Sequence, residues 1–105
     1  MLLVSNQTLF SRSSVTVFVY MYYVYIVECS DHTLYTGITT NLARRIDEHN
    51  VSKKGASYTK SRRPVTLKYS KRCRTRSSAL KKEWTIKQMA KDEKLQVISG
   101  LRTIR

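Results

Sequence analysis

Acidic residues are scarce in this chain. Its 105 residues include seven Asp and Glu against twenty Lys and Arg, a formal charge of +13. On so small a body that imbalance makes a strong positive field and favours a polyanionic partner. Cysteine is equally sparse. Cys29 and Cys73 lie far apart, with neither the CxxC or Cys/His spacing of a zinc site nor the density of a secreted disulfide scaffold. Both are expected to be reduced, as in an intracellular protein. There is no apolar run of the ~20 residues that a membrane-spanning helix needs. The longest, Val15 to Val27, has thirteen and reads as strand. A basic n-region followed by a cleavage site is also missing at the start, which argues against a signal peptide. Ser-His-Asp and Cys-His orders, a phosphate loop, HExxH and internal repeats are all absent.

What is present is one domain's worth of chain with 41% apolar and 26% charged residues, enough for a modest core. Charge is concentrated in residues 44 to 76, which hold twelve basic and two acidic side chains. A basic run is often only a solvated face, but this density points to nucleic acid or an anionic surface. Membrane association would need an amphipathic apolar face, which the run lacks.

Residues 1 to 14 have weak periodicity and several Ser, Asn and Thr, so the first twenty residues are expected to form a poorly ordered or loosely docked extension. Met21 offers an alternative start. Tyr22 to Glu28 is rich in Tyr, Val and Ile and predicts a first strand. Ser30-Asp31-His32 supplies turn chemistry, and Thr33 to Gly37 returns as a second strand ending at Gly37. Thr39, Thr40 or Asn41 then caps a helix through LARRIDEHN. Residues 51 to 63 read as a basic loop closed by Pro64, and Val65 to Ser70 alternates as a third strand. SSALKKEWTIKQMAK, from Ser77 to Lys91, predicts the longest helix, followed by a short one to about Ser99, stopped by Gly100. A short basic tail, 100 to 105, ends the chain. The fold class is α+β, a three-stranded antiparallel sheet flanked by helices in the order ββαβαα.

Several side chains fall where chemistry is the more interesting reading. On the long helix Glu83 shares the inward stripe with Ala79, Ile86 and Ala90, with Leu80 and Trp84 on its flank. A carboxylate there needs a partner, either a Lys or Arg or a metal. On the first helix His49 projects between Leu42 and Ile46, with Arg45 one turn earlier, and Arg45 is a candidate partner for Glu83. Tyr25 and Tyr35 are expected on neighbouring strands with their hydroxyls within reach of each other. Each of these has an ordinary alternative, a satisfied core histidine or amphipathic packing of tyrosine. Tyr58 and Tyr69 are open between base stacking and covering the sheet. Glu83 is the best metal ligand, and one carboxylate with water and phosphate oxygens is a normal arrangement for Mg²⁺.

VYI with Tyr25, YTG with Tyr35, a helix carrying Arg45 and His49, and LKKEW with Glu83 together resemble the GIY-YIG nuclease family. The resemblance covers roughly residues 21 to 99 and is nearest to small stand-alone members of bacterial or large-DNA-virus type. It implies the same ββαβαα order and a phosphodiester hydrolase with one divalent ion, Mg²⁺ or Mn²⁺. By that resemblance Glu83 holds the metal, Arg45 stabilises charge on the scissile phosphate, Tyr25 activates or positions the attacking water, Tyr35 completes the site, and His49 stands where members carry His or Tyr. Because tyrosine near pKa ~10 is a poor base, either metal-bound water or His49 is expected to share the proton work. The expected partner is DNA, with RNA not excluded, without a small-molecule cofactor, in the cytoplasm or, for a viral member, the host nucleus. Lys53, Lys54, Lys60, Arg62, Arg63, Lys71, Arg72, Arg74 and Arg76 are expected to grip phosphates. The expected activity is an endonuclease of low sequence specificity, with structure selectivity and a role in repair or recombination as its finer form. A non-catalytic binding module on the same fold is the alternative. The chain departs from the family pattern at Tyr23 and Thr36, which stand where the motifs carry Gly and Ile. It also has no Asn after Asn50.

Overall fold

A computed structural model describes residues 7–12 and 15–104. The first two strands, β1 (Gln7–Arg12) and β2 (Val15–Tyr20), pair antiparallel in a sheet of their own. Alternating Thr, Leu, Phe and Val suits such a ribbon. It occupies part of the stretch that the sequence predicts as a loosely docked tail, of which residues 1–6 and 13–14 lie outside the described residues.

The main sheet has the order β4-β3-β5, all antiparallel. Its central strand β3 (Tyr22–Glu28) is flanked by β4 (Leu34–Thr39) and β5 (Thr66–Cys73). Between them run α1 (Leu42–Val51) and a single turn, α2 (Ser57–Lys60), inside what reads in sequence as a plain loop. After β5 come α3 (Arg76–Lys87) and α4 (Lys91–Ser99), which ends at Gly100. Apart from that extra turn and the leading ribbon, the order is the expected ββαβαα. Among the described residues no helix is long and apolar enough to cross a membrane.

Because β3 is central, it is buried on both faces and its alternation sorts side chains into two layers. Val24 and Ile26 pack with Cys73, Ala79, Ile86 and Val97 beneath α3 and α4. Tyr25, Val27 and Cys29 face the other way, toward Val65, Tyr35, Leu42 and Ile46. Ile104 is buried in the first layer, so the terminal basic segment folds back onto the core. The β3–β4 turn behaves as its composition predicts: Asp31 Oδ1 accepts from Thr33 N at 3.1 Å and from its hydroxyl at 2.6 Å. Lys91 Nζ donates to His32 O at 2.8 Å and ties the same turn to α4.

The starts of α1 and α3 are set by side-chain caps. Asn41 accepts from Arg44 N at 3.0 Å, and Thr75 caps α3 by accepting from Ser78 N at 3.0 Å. Gly37 is not the end of its strand. It lies within β4 opposite Tyr25, where a Cβ would sit 2.5 Å from the phenol oxygen. Its place is dictated by the room that Tyr25 needs rather than by backbone conformation.

Candidate functional site

The α1 face of the sheet is built around a buried hydrogen-bond chain. Tyr25, on β3, and His49, on α1, are 1% and 0% exposed, and the phenol oxygen lies 2.7 Å from Nε2. The other ring nitrogen, Nδ1, is 2.9 Å from Thr59 Oγ1. The Thr59 hydroxyl donates its single hydrogen to Ala56 O at 3.0 Å, which leaves its oxygen to accept. Nδ1 therefore carries the imidazole proton, Nε2 accepts, and Tyr25 is the donor. Burial, aided by the charge of Arg45, lowers the His49 pKa to about 4 and keeps the ring neutral. Burial also pushes the Tyr25 phenol up to about 12, against the pull of Arg45.

Tyr35 lies opposite Val27, so it shares the face of Tyr25 without being its direct neighbour. The two tyrosines meet around the histidine, with ring centroids 5.8 Å and 5.4 Å from His49, both edge-on. Tyr35 also stacks with Tyr58 at 5.9 Å, and the Arg62 guanidinium lies 3.9 Å from the Tyr58 ring centroid. Tyr58 is thereby committed to a ladder of planar groups. Tyr69 packs on the opposite face of the sheet, against the layer under α3.

Arg45 does not pair with Glu83. Its Nη1 donates to Glu48 Oε1 and to Lys54 O, each at 2.9 Å, while the guanidinium also lies beside the Tyr25 phenol and favours its ionisation. Arg44 adds a longer pair to Glu48, 3.7 Å, and the two arginines hold that carboxyl below its ordinary pKa. Glu83 pairs with Lys87 on its own helix at 3.3 Å, with 19% of its side chain exposed. Its charge still reaches Tyr25 and opposes ionisation there. Tyr25, Tyr35, Arg45 and His49 are thus brought together, while Glu83, on α3, is linked to the same phenol through its charge alone.

The segment from 51 to 64 has a structural task that its charge conceals. Asn50 pairs with Val65 through both amide atoms, Nδ2 to O at 3.1 Å and N to Oδ1 at 2.7 Å, closing the segment at its base. Arg63 reaches back to the end of α1 and donates to the carbonyls of Glu48, His49 and Ser52. Those of Glu48 and Ser52 also accept from the backbone N–H of Ser52 and Gly55, at 3.1 and 3.4 Å, and all three lie at the negative end of the helix dipole. Gly55 packs on the same turn, where a Cβ would lie 2.7 Å from Glu48 O. Arg62 binds Asp31 at 3.1 Å and Tyr58 O at 2.8 Å. Two of the nine expected phosphate-gripping residues, Arg62 and Arg63, are therefore held by the protein itself.

The other seven are exposed. Lys53, Lys54 and Lys60 project from the closed segment, while Lys71 and Arg72 lie on β5, with Arg74 and Arg76 just beyond. Arg72 is opposite Tyr23 in register and so shares the sheet face of Tyr25. Among the described residues no three or more His, Cys, Asp or Glu gather as a metal cage.

A family model described as the GIY-YIG catalytic domain matches residues 21–96. The chain belongs to the GIY-YIG family. That is a nuclease family, whose substrates are nucleic acids. It is 60% identical over 79 residues to the UPF0213 protein DP2720 of Desulfotalea psychrophila, covering 75% of this chain and 72% of that one. A UPF0213 protein of Syntrophus aciditrophicus is 57% identical over 76 residues, or 72% and 87% of the two chains. Among solved structures, the NMR structure of EF2693 from E. faecalis is similar with a TM-score of 0.55 and 34% identity over 81% of this chain and 92% of that one. The UPF0213 protein BH0048 from Bacillus halodurans gives 0.50 and 39%, over 75% and 83%.

Glu48, Asn50, Thr59 and the structural use of Arg63 are absent from the sequence-based expectations. Glu48 had a signal, three residues after Arg45 on one helix, the spacing at which opposite charges meet. Asn50, Thr59 and Arg63 had none, because each acts on a residue ten to fifteen positions away through a loop of no regular period.

Proposed function

We propose that this protein is a metal-dependent endonuclease that hydrolyses DNA phosphodiester bonds with low sequence specificity. The reading rests above all on the buried Tyr25–His49–Thr59 chain with Arg45 at its phenol. A tyrosine placed only for packing does not need a neutral, tautomer-fixed imidazole at 2.7 Å. Residues 21–99 are the nuclease unit in this reading, with 1–20 an extension and 100–105 a basic tail.

In the proposed mechanism Tyr25 positions the attacking water. As that water loses a proton to the phenol oxygen, the phenol proton passes along the existing hydrogen bond to His49 Nε2, and Nδ1–H stays on Thr59. The relay avoids a free tyrosinate, which the phenol's pKa of about 12 makes costly at neutral pH. The paired imidazole is a weak base at about 4, so the transfer belongs to the moment when negative charge builds on the phosphate nearby. Arg45, oriented by Glu48 and Lys54 O, faces that charge, and Tyr35 keeps the ring of His49 in place.

The donor set suits Mg²⁺ or Mn²⁺. A single hard carboxylate, Glu83, at the margin of the site fits an ion that takes its other ligands from water and phosphate oxygens. Glu83 would hold it, releasing Lys87, and the bound ion would supply positive charge to the phosphoryl and leaving oxygens. Lys53, Lys54, Lys60, Lys71, Arg72, Arg74 and Arg76 bind backbone phosphates, which gives affinity without sequence readout. Structure-selective cutting in repair or recombination is the biological form that this low specificity fits.

Cleavage of nicked, branched and supercoiled DNA with Mg²⁺ or Mn²⁺ tests the reading. Wild type should cut at least one of them, and Glu83→Ala and Arg45→Ala should each lose about a hundredfold or more in rate. No metal-dependent cutting on any substrate, with DNA binding intact, would replace the enzyme by a binding module.

A further inference from the structure

Trp84 is the chain's single tryptophan, and it stands 66% exposed on α3, one residue after Glu83. An indole is the largest apolar side chain, and leaving it in water is unfavourable unless something covers it. Core packing does not explain it, because the buried stripe of α3 is carried by Ala79 and Ile86. Among the described residues Tyr58 is the other exposed aromatic, and its ring is already engaged by Tyr35 and Arg62. Trp84 alone of these two has a ring available.

Its surroundings define the occupant. Lys81 and Lys87 are three residues before and after it, each about 60° around the helix from the indole, and both are exposed. On the side of Lys87 comes Glu83, whose charge reaches the Tyr25 phenol. An exposed flat apolar ring bracketed by two ammonium groups is matched by a flat base whose flanking phosphates are anionic. A base inside a duplex is stacked on both sides and offers no face, so the ligand must present an unpaired one.

We propose that Trp84 is a stacking platform for an unpaired nucleobase beside the scissile phosphate, with Lys81 and Lys87 on the adjoining phosphates. This rests on the nuclease reading for its substrate and supplies what that reading lacks, a residue that discriminates by structure. Strands with a frayed, flapped or single-stranded nucleotide engage the indole, and blunt duplex meets only the basic surface.

The lone tryptophan reports on its own site. In EDTA, where cutting is not measured, a short oligothymidylate should quench and shift Trp84 emission as anisotropy of a dye on the oligonucleotide reports binding. A blunt duplex of the same length should bind with little change in emission. Trp84→Ala should weaken oligothymidylate binding about 5- to 100-fold while leaving duplex binding near wild type, and Trp84→Phe should recover part of the loss. Circular dichroism of both variants checks that α3 is intact. Binding without any emission change, an equal change with both ligands, or Trp84→Ala with unaltered single-strand affinity would each overturn the proposal and leave the indole to a protein contact. These outcomes are independent of cleavage, so an inactive but quenched protein would count against the nuclease alone.

Discussion

Two basic stretches of nearly equal charge, 53 to 63 with five cations and 71 to 76 with four, have different physical fates. In the first, Arg63 closes the end of α1 and Arg62 is bound to Asp31 and laid over Tyr58. In the second, Lys71, Arg72, Arg74 and Arg76 are exposed, and among the described residues none of them has an ion pair. Arginine with accessible carbonyls on the same small domain becomes scaffold, because its planar donors satisfy several acceptors at once. Cations on an edge strand and the turn after it have only solvent and a partner to face. Charge density marks a region suited to a polyanionic partner, but only geometry says which charges are free to meet one.

The contrast breaks most visibly at Arg63. Arg63→Ala strands the His49 carbonyl and takes a second, charged donor from those of Glu48 and Ser52, which should destabilise the fold by up to about 3 kcal/mol, lowering Tm well outside error in a thermal melt, while the salt dependence of DNA binding stays near wild type. A variant that melts like wild type and loses only DNA affinity would make the two stretches alike.

A smaller effect separates them by pH. His49 is held neutral with a pKa of about 4, whereas unfolded histidine titrates near 6.5, so the unfolded chain takes up more protons between those values. The stability this contributes is complete above pH 6.5 and is lost as pH falls toward 4, on the order of 2 to 3 kcal/mol in all. Denaturant melts across that window should show the decline in wild type and a flatter profile in His49→Gln. The 71 to 76 cations keep their charge throughout, so a slope that survives His49→Gln would point elsewhere.

The least effect on folding is expected from the second stretch. Replacing Lys71, Arg72, Arg74 and Arg76 by Ala should cost less than about 0.5 kcal/mol per site. It should flatten the plot of log affinity against log salt by about 0.9 for each phosphate that is no longer neutralised. An unchanged salt slope would move the DNA surface to Lys53, Lys54 and Lys60.

The elements of the fold were legible because each carries its own period or punctuation. The β-branched and aromatic run of Tyr22 to Glu28, Asp31 in the turn, Asn41 before a helical stripe and Gly100 after one are local signals, and local physics honours them. The convergence of Tyr25, Arg45 and His49 was readable for the same reason, since helix and strand periods turn all three toward one layer. What could not be read is long-range and one-off. Lys87, rather than Arg45, became the partner of Glu83 because it lies one turn away on the same helix, whereas Arg45 was taken by Glu48 and Lys54 O. Gly37 is explained only once the register sets it against Tyr25. Thr36, where the family motif has isoleucine, is 3% exposed, and its hydroxyl has no hydrogen-bond partner among the described residues. The structure shows no compensation for it.

β5 has a further consequence, as an outer strand whose far edge has no neighbour in the sheet among the described residues. Such an edge can recruit a matching strand from another molecule, and rows of lysine and arginine are a common defence against that. Lys68, Lys71 and Arg72 give this edge a coat of mutual repulsion between copies. Any polyanion that neutralises the coat also lifts the barrier to self-association. On the proposed function, colloidal behaviour and substrate grip are two readouts of Lys71 and Arg72, and the protein should be least prone to clump when its edge is bare and salt is low.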